Sequence, residues 1–197
     1  MGLKANVCFL KNFEDAKDEE LLINLDLKYE VKRKSSLEKQ IYTQKNLSIG
    51  KYNGIKIICH SYYPIMGFES MEISEFEERM IYIYKPESIL CIGLQSSMNV
   101  YGYSLIQRGV KLRVNSGSFQ GKLFEGGEIT SEEKGIYSNY VFHQDKNLYF
   151  SKDGNRFGGM DMFGEELAMS LSKRFFEKPI DQFDLSKIVM SPYLIFE

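Results

Sequence analysis

Apolar and polar positions change period several times along the chain, and each change predicts an element. Residues 3 to 10 form an apolar run closed by Lys11-Asn12, which predicts a buried first strand. Glu14 to Leu25 starts acidic and becomes apolar, the order a helix dipole favours, and predicts a helix near 15 to 24. Ile23, Leu25, Leu27, Tyr29 and Val31 alternate with polar residues, so a strand is expected to begin inside that stretch. Ser35-x-x-Glu38 reads as a capping box ahead of a short helix through about Tyr42. In SIGKYNGIKII, residues 48 to 58, Asn53-Gly54 supplies the two positive-φ positions of a type I′ hairpin turn. A second capping box, Ser74-x-x-Glu77, opens a helix with Ile73, Phe76, Met80 and Tyr84 on one face, and Pro86 marks its end.

Ile89 to Leu94 is unbroken and apolar, as in a central strand covered on both faces. The stretch that follows, NVYGYSLIQRGVKLRVNSGS, predicts a hairpin over residues 100 to 115 turning at Arg108-Gly109. A two-residue turn sets Tyr103 opposite Val114, Leu105 opposite Leu112 and Gln107 opposite Val110, which gathers one apolar face and leaves Lys111, Arg113 and Asn115 on the other. Beyond residue 117 the chain is glycine-rich and acidic and reads as loop. Asp153-Gly154 predicts a tight turn between Leu148 to Lys152 and Asn155 to Phe157. Phe163, Leu167, Leu171 and Phe175 predict one amphipathic helix stopping before Pro179, and the apolar tail Tyr193 to Phe196 is expected to dock. These elements amount to a single α+β domain, a largely antiparallel mixed sheet of several hairpins with about three to four helices packed on it.

Composition narrows the function classes. Charges nearly cancel, 25 basic against 27 acidic residues, and the one dense basic run, Lys32-Arg33-Lys34 with Lys28 and Lys39 nearby, reads as a solvated face; nucleic acid is not an expected partner. The longest apolar runs fall far short of the ~20 residues of a membrane helix, no secretory signal is visible, and Asn6 stands where a myristoylation motif needs Ser or Thr. Cys8, Cys59 and Cys91 each sit in an apolar string, an odd set with neither disulfide-framework nor zinc spacing, which suits a reducing cytosol. A soluble, cytoplasmic protein is expected, with no membrane contact and no oligomeric state set by the sequence.

Chemistry is sparse. Cys59 and His60 are adjacent on a strand and point to opposite faces, so they form no nucleophile pair, and Cys91 with His143 reads as an inert core thiol. Two distant histidines supply no metal spacing, and Asp153-Gly154-Asn155 lacks the flanking carboxylates of a calcium loop. Dinucleotide, P-loop and nucleophile-elbow motifs are missing, so no catalytic residue, metal ligand or cofactor is assigned. The candidate ligand-binding group is the polar face of the 100–115 hairpin: Arg113 beside Gly102, facing Glu128 or Glu133, with Asn99 and Tyr101 lining the region and His60 converging on it. The competing reading is an ion pair that ties the acidic stretch to the sheet.

Four stretches carry a resemblance: SIGKYNGIKII, NVYGYSLIQRGVKLRVNSGS, GEITSEE and FGEELAMSLSKRFF. In order and spacing they resemble a family of uncharacterised bacterial proteins known only as a domain of unknown function. Its pattern falls here on Ser96, Asn99, Gly102, Tyr103, Gly109, Arg113, Gly127 and Glu128. The resemblance implies a shared fold and no activity. The expected function is non-enzymatic binding of a protein partner, as in a regulatory domain. The alternative is an enzyme or sensor holding a small anionic ligand at Arg113.

Overall fold

The computed structural model describes residues 4–42, 46–95, 98–146 and 148–196. Its strands are β1 (Lys4–Lys11), β2 (Lys28–Val31), β3 (Ser35–Ser36), β4 (Asn46–Tyr52), β5 (Ile55–Cys59), β6 (Ser88–Gln95), β7 (Val100–Gln107), β8 (Val110–Ser118), β9 (Gly121–Gly127), β10 (Tyr140–His143), β11 (Leu148–Ser151), β12 (Phe157–Gly158) and β13 (Val189–Phe196). Its helices are α1 (Asp18–Asn24), α2 (Leu37–Tyr42), α3 (Glu75–Tyr84), α4 (Ser131–Tyr137) and α5 (Met160–Ser172). Ten strands make one antiparallel sheet in the order β2-β13-β4-β5-β1-β6-β7-β8-β9, with β3 also on β13, and β10-β11-β12 form a separate small sheet. The α+β class holds, and no helix among the described residues is long and apolar enough to cross a membrane.

The large sheet is apolar on both faces, and each face has its own core. Phe9, Ile57, Leu90, Tyr103 and Leu105 meet α2, α4 and α5 on one side. Leu10, Ile58, Ile89, Ile106 and Val114 meet α1 and α3 on the other. The apolar run at 89–94 is therefore continuous because both of its faces are covered, with β1 and β7 as neighbours. The tail does dock, as β13 between β2 and β4.

Three expectations are corrected. The stretch beyond 117 is not loop: it pairs on β8 as the edge strand β9 and then forms α4, a fifth helix begun by Thr130. The cysteines are not all free: Cys8 and Cys91 lie directly opposite on β1 and β6, with Cα atoms 4.1 Å apart, and are joined as a disulfide, leaving Cys59 alone and buried. Sequence spacing cannot show such a pair, because strand pairing and not separation brings the two together. The bond removes the cysteine argument for a reducing compartment.

The third correction concerns the 100–115 hairpin. Arg108 and Gly109 take positive φ, 50° and 76°, and Gln107 faces Val110 across the two-residue turn. The ladder then slips: Ile106 faces Lys111, yet Leu105 faces Arg113, so Leu112 is an extra, partly exposed residue in a β-bulge. Past the bulge Tyr103 faces Asn115 rather than Val114. Lys111 and Val114 share the α3 side, whereas Arg113 and Asn115 turn to the α4 side.

The connection from β5 to α3 is held to this frame by side chains. Gly93 and Gly102 face each other on β6 and β7, and the Phe68 ring occupies the space above both. Ser116 Oγ donates to the Phe68 carbonyl and Asn6 Nδ2 to that of Ser61. At the start of the connection His60 Nδ1 accepts the N–H groups of Tyr62 and Tyr63, both at 3.2 Å.

Candidate functional site

Arg113 lies at the centre of a buried polar network. Its side chain is 1% exposed, and it meets Glu133 through Nε at 2.9 Å and Nη2 at 2.8 Å. Nη2 also reaches Glu125, and Nη1 donates to the Gly126 and Gly127 carbonyls at 3.2 Å. Tyr103 donates its hydroxyl to Glu133, Asn115 Nδ2 donates to the Tyr103 oxygen, and the Tyr101 hydroxyl donates to Asn115 Oδ1. Burial pulls the guanidinium toward deprotonation, but Glu133 and Glu125 outweigh it and hold Arg113 above its ordinary range. The phenol of Tyr103 is pushed up by burial and by the neighbouring Glu133 carboxylate. Buried in this way, the guanidinium has its donors directed at carboxylates and carbonyls, and an external anion would have to displace Glu133.

Glu133 also closes the N-terminus of α4: Thr130 N–H donates to its Oε2 at 2.8 Å, while Thr130 Oγ1 accepts the Glu133 N–H. The other face repeats this design. Glu77 closes α3 with Ser74, accepts the Ser104 hydroxyl at 2.7 Å, and pairs with Lys111 Nζ at 2.7 Å, with both side chains at most 2% exposed. Lys111 completes its donors on the Gly67 and Glu72 carbonyls. One hairpin thus holds two helix N-termini on opposite faces, each by a strand cation and a strand hydroxyl delivered to a capping glutamate.

Arg113, Glu133 and Tyr101 are brought together in this network, and the remaining candidates are not. Gly102 faces the opposite side and is covered by Phe68. Glu128 is exposed; Asn99 is an exposed turn residue with φ 52° whose carbonyl accepts from Phe119 N–H. His60 stacks on Tyr63 at 4.3 Å at the end of β5, and burial holds its ring down to about 4. Ser96 lies outside the described residues. Among the described residues no group of His, Cys, Asp or Glu is placed to hold a metal.

Open space lies instead around the small sheet. Its inner face rests on α5, where Tyr149 stacks on Phe163 at 3.9 Å and Tyr140 donates its hydroxyl to Glu166 at 2.6 Å. A 330 Å³ cavity lies there among Tyr140, Tyr149, Phe157, Phe163 and Glu166, and a wider 900 Å³ cleft shares Arg156, Met162 and Glu166 with it. The outer face sets Val141, Phe150 and Phe157 in one row across three strands. Val141 is 47% exposed and Phe157 66%. Phe150 and Phe157 stack, His143 meets Phe150 edge-on, and Lys146 lies 5.6 Å over the Phe150 ring. The sequence reading missed this region because YVFH and LYFS carry apolar residues at both parities, which hides the side that faces solvent. No protein-family model, curated protein or solved structure matches the chain.

Proposed function

We propose that the protein acts by binding a protein partner, through the outer face of the β10-β11-β12 sheet. The observation that carries this reading is the outward row Val141, Phe150 and Phe157, with Val141 and Phe157 exposed and Phe150 half-buried between them. A sheet of three short strands has little to gain by facing two aromatic rings to water, and apolar patches of this kind mark interaction surfaces. His143 and Lys146 are seated on the row and Lys152 is exposed in the adjoining turn, so the complementary partner is an acidic segment bearing apolar side chains. Catalysis has no comparable support, since Arg113, His60 and Glu128 do not converge on one cavity.

The test is capture by the immobilised full chain, followed by purification of the captured protein and calorimetric titration. Phe157→Ser and Val141→Ser alter exposed side chains and are expected to leave Tm within a few degrees, while weakening the purified complex by about tenfold or more, as central interface residues do. Equal affinity in wild type and both variants would sink the proposal, and so would the failure of any captured protein to bind once purified.

A further inference from the structure

The cavity on the inner side of the small sheet is a second site, and its chemistry is independent of the docking face. Its walls are the rings of Tyr140, Tyr149 and Phe163 with the Met162 side chain beside them, and its volume of 330 Å³ suits a compact organic molecule. One carboxylate, Glu166, faces it. Glu166 Oε2 accepts the Tyr140 hydroxyl at 2.6 Å, and Oε1 has no partner among the described residues. Arg156, the one cation lining this cavity, is engaged at the same Tyr140 hydroxyl.

The sign of the surroundings follows from the adjoining cleft. Glu165, Glu166 and Asp181 line it against Arg156 and Lys173, while Glu132 is already neutralised by Arg174 at 2.6 Å. These three carboxylates outnumber the two cations, and burial, then the charges of Asp161 and Asp181, hold the Glu165 carboxyl above its usual range. Aromatic walls beside an open carboxylate attract an ammonium group and disfavour an anion.

We propose that this cavity binds a small organic amine, with its ammonium on Glu166 Oε1 and its apolar or aromatic body between the small sheet and α5. Arg156 at the shared rim then meets any acceptor the ligand carries on its outer end.

Calorimetry and thermal shift on the full chain test this with three probes of one shape: phenethylammonium, 3-phenylpropionate and 2-phenylethanol. Phenethylammonium is expected to bind saturably and raise Tm, with the other two about tenfold weaker or more, the difference one ionic contact makes. Glu166→Gln should lower amine affinity by about tenfold while leaving unliganded Tm within a few degrees. Met162→Ala, at a cavity-lining residue 60% exposed and so too exposed to threaten folding, should weaken all three probes alike. No binding by the amine at about 10 mM, weaker than any useful site, or equal binding of the carboxylate, or an unchanged Glu166→Gln, would overturn the assignment. The docking face is untouched by any of these results, since no partner protein is present.

Discussion

Lys111 and Arg113 stand two positions apart on one strand, yet they send their cations to opposite faces of the sheet, Lys111 to Glu77 and Arg113 to Glu133. In a regular strand they would point the same way. The bulge at Leu112 absorbs one residue and makes them neighbours in alternation. Removing one partner of such a buried pair leaves the other charge uncompensated. Arg113→Met and Lys111→Met are each expected to cost about 3–5 kcal/mol in denaturant unfolding. Tyr103→Phe removes the hydroxyl that donates to Glu133 and accepts from Asn115 Nδ2, and should cost about 1.5–3 kcal/mol.

Gly127 is fixed by the same bulge. Its φ is +80°, and a Cβ there would lie 1.9 Å from the Leu112 carbonyl oxygen. Gly127→Ala is expected to destabilise by more than about 2 kcal/mol, through backbone strain and clash together. Gly109→Ala, with open space around its Cβ, should cost less in the same assay.

Acid weakens the fold in two windows. Burial favours the neutral His60 ring, whose Nδ1 accepts two N–H groups, and lowers it from 6.5 to about 4. The unfolded chain takes up that proton first, so this stability is complete above pH 6.5 and is lost as pH falls toward 4. Glu132, held by Arg174 down to about 2 from 4.5, contributes stability present above pH 4.5 and lost as pH falls toward 2. His60→Asn keeps an acceptor for both N–H groups without a titrating ring. It should flatten the stability profile of thermal unfolding between pH 6.5 and 4 and leave the lower window unchanged.

The Cys8–Cys91 bond gives a direct chemical prediction. Alkylation of the denatured, unreduced protein should modify Cys59 alone, and prior reduction should expose all three thiols to mass analysis. Cys91→Ala is expected to lower stability by about 2–4 kcal/mol under oxidising conditions and by clearly less after reduction of the wild type used as reference. Labelling of all three cysteines without reductant would show the pair to be unbonded.

The sequence made much of this framework legible, and its failures share a cause. Asn53-Gly54 and Arg108-Gly109 announced their hairpins because a positive φ at both turn residues is a local demand. Ser74-x-x-Glu77 was readable for the same reason, since a cap concerns four consecutive residues. Thr130-x-x-Glu133 spells an equivalent box but lies among glycines and glutamates that look like loop, so α4 was missed, and with it the partner that makes Arg113 structural. The bulge escaped because Leu112 looks like core when only alternation is counted. The Cys8–Cys91 pair and the outward row of the small sheet depend on which strand lies beside which and which face is covered, and neither is written in local pattern.

The segment between His60 and Ser74 bears on where the chain can be cut. It contains only one short 3-10 turn, Tyr63–Ile65, and a connection of this length without strands is ordinarily the natural entry point for a protease. Here Phe68 is seated over two facing glycines, Lys111 grips two of the carbonyls and His60 holds its first amides. Nicking a chain requires it to unwind locally into an extended form, and this stretch cannot do so without pulling an aromatic ring out of the sheet and stranding a buried ammonium. Limited digestion should therefore spare residues 60 to 73 until the whole sheet opens.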